Sequence, residues 1–332
     1  MRRTLLGAAL GTTTAVAWGG QFVVGKSALA RVDAFHLTTV RYALAGLVLL
    51  AILAAVEGPG ALRLEGRGLR LWWLGTLGFA GFNLLGFTGL AHTQPQSASL
   101  IVALSPLLTA LVLWQRTGVR PRWATLLTLA VALAGVAAVI SQGDPASLAH
   151  GSLGYGDALV LGGVFSFILY TLGAAEFPDF SPLRYTTLTA GLGWLSIAAA
   201  TGVASLAGLE REPSTAAYAD IWWQLLYVAL FGAVVAVVSW NSAVVTLGPQ
   251  NATLFGNLIP VTTFVIEIAR GYRPSAIELG GAALVIAALV ANNLLTRRAR
   301  RRPTEQEQAP AQGMATAGCA APVQEGGSLR TP

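Results

Sequence analysis

Ten stretches of this chain run for about twenty residues with hardly a charge, and that pattern constrains the fold before any motif is considered. A helix rises 1.5 Å per residue, so about twenty apolar residues cover the roughly 30 Å of hydrocarbon in a bilayer. The stretches are roughly 5–26, 34–56, 69–91, 95–115, 122–141, 154–175, 182–207, 221–245, 249–269 and 275–296. Spanning strands would alternate apolar and polar residues over about ten positions, and these stretches do not. A helix satisfies its own backbone N–H and C=O groups, which the hydrocarbon cannot do. The chain therefore reads as an all-α membrane protein of ten transmembrane helices.

Composition narrows the function. Charged residues are 11% of the chain, against about 25% in a soluble domain. That excludes an ordinary soluble enzyme, a nucleic-acid binder and a disordered regulator. The single cysteine, Cys319, excludes an intramolecular disulfide, and His36, His92 and His150 are too scattered for a zinc site. Neither a metal nor another cofactor is expected. The net charge of +6 sits in short gaps between apolar runs, so no nucleic-acid partner is expected. Lys26-Ser27 lacks the glycine spacing of a nucleotide-binding loop. Met-Arg-Arg before an apolar run has the look of a signal peptide. That run is long for one, and its removal would break the repeat described next.

Residues 95–116 read PQSASLIVALSPLLTALVLWQR and residues 249–270 read PQNATLFGNLIPVTTFVIEIAR. Eight of these 22 positions are identical at an offset of 154, including Pro95/Pro249, Gln96/Gln250 and Pro106/Pro260. The copies fall in the fourth and ninth stretches, so each half holds five helices. Five is odd, and the second half must enter the bilayer upside down. This is an inverted-topology repeat, with halves that can rock about a site between them. The predicted division is 1–141 for the first five-helix repeat, 142–153 for an external linker and 154–296 for the second. Residues 297–332 follow as a cytoplasmic tail too poor in apolar residues to pack. With the N-terminus inside, the inner segments carry 14 Lys/Arg and the outer loops 5. That bias places both termini in the cytoplasm.

Polar groups inside a bilayer are costly and face the bundle interior. In the ninth stretch Thr253, Asn257, Pro260, Phe264 and Glu267 form one helical stripe. The matching stripe in the fourth is Ser99, Ala103, Pro106, Ala110 and Leu113, which is less polar. Trp18, Gln21, Phe22 and Gly25 share a face of the first stretch. Phe79, Asn83, Gly86 and Phe87 share one in the third, and Val237, Trp240, Asn241 and Val244 one in the eighth. Such faces suit a flat or amphiphilic ligand oriented by amides. The substrate-binding candidates are Trp18, Gln21, Asn83, Trp240, Asn241 and Asn257. Inter-helix hydrogen bonding explains the same amides, and core packing the same rings. Pro106 and Pro260 near their span midpoints predict helix kinks. Trp72, Trp73, Trp222 and Trp223 fit interface anchors. Arg41, inside the second span, has three open readings: an anionic substrate group, snorkelling, or satisfying helix carbonyls. Glu267 is a candidate for carrying a coupling proton, with an edge ion pair to Arg270 as its alternative.

Ten spans, the five-plus-five repeat and Ala98-Ser99-Leu100 before a mid-helix proline together resemble the EamA-type permeases of the drug/metabolite transporter superfamily. So do Trp18-Gly19 with Phe22 and Lys26, Arg41, and Gly156-Asp157 opening the sixth span. The resemblance covers about 1–296. It implies transport without ATP hydrolysis, often export, a central cavity lined by both halves, peripheral fifth and tenth spans, and a structural role for Arg41. The family often has Glu about 13 residues after the two prolines; Val119 and Arg273 stand there, so no role is carried over. The expected function is a secondary-active permease, an exporter by resemblance, that moves small organic metabolites or drugs across a bacterial cytoplasmic membrane by alternating access. Its partners are a small-molecule substrate and the lipid bilayer; a homodimer is left open. A membrane-embedded lipid-modifying enzyme and a non-transporting receptor are the alternatives.

Overall fold

In a computed structural model the chain is described at residues 2–141, 154–210, 212–247, 252 and 255–301. The linker 142–153, Thr253 of the polar stripe and the tail beyond 301 lie outside the described residues. The chain divides into a body, Met1–Asn293, and a second unit, Leu294–Pro332.

Among the described residues every regular element is a helix. The first half holds α1 (Arg2–Ala28), α2 (Ala34–Val56), α3 (Gly68–Gly75), α4 (Phe82–His92), α5 (Pro95–Ala103), α6 (Ser105–Thr117) and α7 (Trp123–Ser141). The second holds α8 (Tyr155–Gly173), α9 (Pro182–Leu206), α10 (Thr215–Asp220), α11 (Trp222–Leu226), α12 (Ala236–Leu247), α13 (Leu258–Ala269) and α14 (Ala276–Arg301). Among the described residues seven spans are long and apolar enough to cross a bilayer, or eight if the bent pair α5–α6 is one span. The expected ten differ for physical reasons. Thr12, Thr13, Thr14, Gln21 and Lys26 dilute the apolarity of α1. α13 is a shorter apolar helix, opening only at Leu258. A third to a half of each apolar window (33% to 50%) is buried within the protein. The remaining apolar surface, including exposed Leu47, Val203 and Val265, suits lipid.

Local chemistry sets the helix ends. Asp33 caps α2 by accepting from the backbone N–H groups of Phe35 and His36 at 2.9 and 3.0 Å. Ser181 caps α9, where Pro182 occupies the first turn. α6 stops at Gly118, whose φ of 71° suits glycine. Between α5 and α6 the chain turns by 44° at Leu104. Pro106 sits in the first turn of α6, where its missing N–H costs no helical bond.

Two π-helical stretches interrupt the spans, Thr76–Gly81 between α3 and α4 and Tyr227–Val235 between α11 and α12. The offset of 154 carries 76–81 onto 230–235, inside the second stretch. The packing repeats the same exchange of halves. α4 lies on α8 and α1 on α12, while α2 lies on α9. α4 and α8 approach to backbone contact where Gly89 faces Gly156, and α7 meets α14 where Gly135 faces Gly281. Small residues allow this closeness, and dispersion rewards it where lipid supplies no hydrophobic drive.

Candidate functional site

The site is built on the π-helical stretches. An i→i+5 turn widens the helix and disturbs its ladder of carbonyls. In the second half the Trp18 indole N–H, from α1, donates to Gly232 O at 3.0 Å. The rings of Trp18 and Trp240 lie 5.7 Å apart. Gln21, one turn on, presses against the same glycine, where any side chain would collide with its Oε1. That Oε1 is buried and has no hydrogen-bond partner. Asn241 follows Trp240 on α12 and is half-buried. Asn257 precedes α13 and is buried, with its Nδ2 unpartnered. α13 packs on α1, where the Thr263 hydroxyl donates to Gly19 O at 3.0 Å. Trp18 therefore meets Trp240 directly, Gln21 reaches the same Gly232, and Asn257 caps a helix that packs on the same α1.

Asn83 belongs to a separate node. Its Nδ2 donates to Phe79 O, in the first π-helical stretch, at 2.8 Å. Its Oδ1 accepts from Arg41 Nη2 at 2.5 Å. Phe79 stacks edge-on with Tyr42 and with Tyr170, each at 5.4 Å. Both polar nodes thus use a carbonyl of a π-helical stretch, with different side chains in each half.

The two polar stripes fare differently. Asn257, Pro260 and Phe264 are all buried, and Glu267 is 16% exposed beside Arg270 at 3.6 Å. In the other copy Ser99 and Ala103 are buried but Pro106 and Leu113 are exposed. A stripe drawn at helical steps assumes a straight helix, and the turn at Leu104 rotates the face outward.

One end of the bundle is tied by charge. Arg67 donates to Asp179 at 3.0 and 2.5 Å and to Glu65 at 3.0 Å. Arg184 reaches Glu65 at 2.6 Å and the carbonyls of Ala61 and Arg63 at 2.8 and 2.7 Å. Arg70 pairs with Glu176. The Arg184 hydrogen bond foremost holds the Glu65 carboxyl below its usual range, and Arg67 does the same for Asp179. These bonds join the segment after α2 to the segment before α9, across the halves. At the other end a cleft of about 240 Å³ opens between Val23 and Lys26 of α1, Gln94 and Pro95, and Glu267 and Arg270. Lys26 Nζ donates to Leu90 O and Ala91 O, both at 2.8 Å, closing the end of α4. A second cleft of about 510 Å³ lies at Arg31, Asp33 and Glu210. Neither is lined by the six binding candidates.

Several buried polar residues with unpartnered atoms lie outside those candidates, among them Gln96, Thr38 and Thr187. Gln96 is 1% exposed with both amide atoms unpartnered, and Thr38 is fully buried with a free hydroxyl. Gln96 carried a signal, since Pro-Gln opens both repeat copies. Thr38 carried none, because threonine is ordinary in apolar helices.

Comparison with known proteins assigns the chemistry a class. The model of the EamA-like transporter family matches residues 5–141 and again 154–294. An uncharacterized transporter of Bacillus subtilis (strain 168), YrdR, is 30% identical over 88% of this chain and 92% of its own. A protein described as a probable terminal-alkyne amino-acid exporter, from Streptantibioticus cattleyicolor, is 28% identical over 87% of this chain and 93% of its own. A protein of known crystal structure superposes with a TM-score of 0.62 at 23% identity, over 88% of this chain and 98% of the other. That likeness concerns the fold alone.

Proposed function

This chain belongs to the EamA-like transporter family, as a multi-pass membrane protein built of two copies of the family's repeat, and from that premise we propose that it is a secondary carrier working by alternating access. Family membership displaces the lipid-enzyme and receptor alternatives. We read α1 and the span ending in α13 as membrane-crossing too, giving ten helices in two inverted halves. The excess of Lys and Arg then places both termini, and the ion-paired end, in the cytoplasm. The cleft at Lys26 faces outward in this arrangement.

The observation that carries this reading is the junction of α1 with α12. Trp18 crosses from one half to bond Gly232 O and meet Trp240 in the other. Beside it the buried amides of Gln21 and Asn257 hold unpartnered atoms. Buried amide atoms without partners are unusual and suit a ligand that arrives to pair them. Movement of one half against the other opens this junction, and the π-helical stretch Tyr227–Val235 beside it is a point where the helix yields. The solute is a small organic metabolite or drug. Export is favoured, because one relative matching most of this chain is described as a probable terminal-alkyne amino-acid exporter. Glu267 lines the outer cleft, and its distance to Arg270 supports the edge ion pair over proton carriage. Glu267→Gln should leave the pH dependence of transport unchanged; a flattened pH profile would restore the proton-carrying role.

The test is counterflow in proteoliposomes loaded with amino acids, nucleosides, polyamines and cationic drugs in turn. The wild type should exchange at least one class, and Trp240→Ala and Asn257→Ala should each slow that exchange without loss of folded protein. Exchange unaffected by both substitutions would remove the α1–α12 junction as the site.

A further inference from the structure

Arg41 is a cation enclosed in the protein without an anion. Its side chain, from α2, is 1% exposed. Nη2 donates to Asn83 Oδ1 at 2.5 Å and to the Tyr42 hydroxyl at 3.3 Å. The rings of Phe87 and Tyr42 lie 4.3 and 4.7 Å from the guanidinium carbon. Nε and Nη1, which carry the guanidinium's other N–H groups, have no acceptor. Among the described residues Arg41 enters no ion pair. A neutral amide and two rings soften the burial of a full charge but do not neutralise it.

The helix that supplies Asn83 to this charge is slack one turn further on. Gly86 shares a face of α4 with Asn83, Phe87 and Leu90, all buried, yet a methyl on Gly86 would meet nothing within 4 Å. α2 packs on α4 here, and Thr38, one turn before Arg41, presents its buried and unpartnered hydroxyl. We propose that Arg41 and Thr38, closed over in this state, anchor a carboxylate of the transported solute that enters where α4 is slack at Gly86. The ligand class is a small organic acid or amino acid with an apolar body. A single guanidinium matches the single charge of a carboxylate, whereas a phosphate dianion calls for more than one cation. The flanking rings of Phe87 and Tyr42 suit an apolar body next to that charge. The proposal rests on the carrier reading for its solute, but the anion site can be tested without transport.

The discriminating variant is Asn83→Asp. It sets a carboxylate against Nη2, so the protein itself supplies the missing anion. If Arg41 only holds helices together, the variant strengthens that role and transport persists. If Arg41 awaits a ligand, the variant occupies its place. Gly86→Val fills the slack on α4 and leaves Arg41 itself unchanged. Full-length protein in detergent is melted against benzoate, benzamide, chloride and phosphate at constant ionic strength. Benzoate should raise the wild-type melting temperature and benzamide, chloride and phosphate should not. Asn83→Asp should melt at or above the wild-type temperature yet bind benzoate about tenfold or more weakly. Gly86→Val should melt near the wild type and respond weakly. The proposal is overturned if wild type ignores benzoate, if benzamide or chloride matches it, or if both variants respond as wild type does. Counterflow separates the two readings. Exchange of neutral or cationic solutes without a benzoate response refutes the anion site and keeps the carrier. A benzoate response without exchange of any solute keeps the site and refutes the carrier.

Discussion

Alanine at Gly89 tests the packing on which the two-half arrangement depends. A methyl there would lie 2.5 Å from Gly156 O and 2.8 Å from Val160 Cγ2. A methyl at Gly156 would lie 2.6 Å from Gly89 O. Ordinary contact begins at 3.4 Å, so either substitution asks α4 and α8 to part by about 0.8–0.9 Å, an overpacking that costs roughly 1–3 kcal/mol. Parting also strains the bond from the Thr93 hydroxyl to Asp157, the residue after Gly156, at 2.5 Å. One separation relieves both clashes. The double variant should therefore cost little more than the worse single, with a coupling of about 1 kcal/mol or more in a double-mutant cycle. Gly46→Ala and Gly86→Ala are the controls, since neither methyl meets anything within 4 Å. They should be neutral or stabilising by up to about 1 kcal/mol through helix propensity. The assay is equilibrium unfolding in mixed micelles. Gly89→Ala behaving like Gly86→Ala, or two singles that simply add, would refute the close approach.

Two further outcomes follow from the ends of the bundle. The depressed carboxyls of Glu65 and Asp179 contribute at any pH above their unfolded values, and that contribution is lost as pH falls through their folded ones. A spin-label distance between the segment after α2 and the segment before α9 should thus hold constant from about pH 8 to 5 and lengthen only below about pH 4; lengthening near neutrality would contradict the ion-pair origin. Lys26→Met removes a cation from the carbonyls that end α4 and should lower unfolding stability by about 1 kcal/mol, read in the same micelle assay, while Lys26→Arg should recover part of it.

The sequence carried the helices well where apolarity alone decides them. The second apolar stretch, 34–56, is α2, Ala34–Val56; the sixth and seventh agree nearly as well with α8 and α9. It carried less where helix quality varies locally. The π-helical stretches at Thr76–Gly81 and Tyr227–Val235 leave no mark in hydropathy. The short helix Thr215–Asp220 depends on a Ser214 cap rather than on an apolar run. Pro106 signalled an interruption, but its direction depends on the turn at Leu104, which sent half the predicted stripe outward. Trp18 and Trp240 were each visible as deep aromatics, and only tertiary packing joins residues 222 positions apart. Asn83 was legible as a polar group in an apolar helix. Its engagement with Arg41 required knowing that α2 and α4 are neighbours.

Alternating access requires that the two halves exchange which end of the bundle is closed. Spin-label pairs read this directly. With Cys319 replaced, one pair is placed at Gly60 and Pro178, at the ion-paired end, and another at Gln94 and Arg273, beside the cleft at Lys26. Distances are measured in liposomes with and without the solute that counterflow identifies. Alternating access predicts opposed changes, the 60–178 distance lengthening in the population whose 94–273 distance shortens. Two distances that stay fixed, or lengthen together, while the solute crosses the membrane would contradict it.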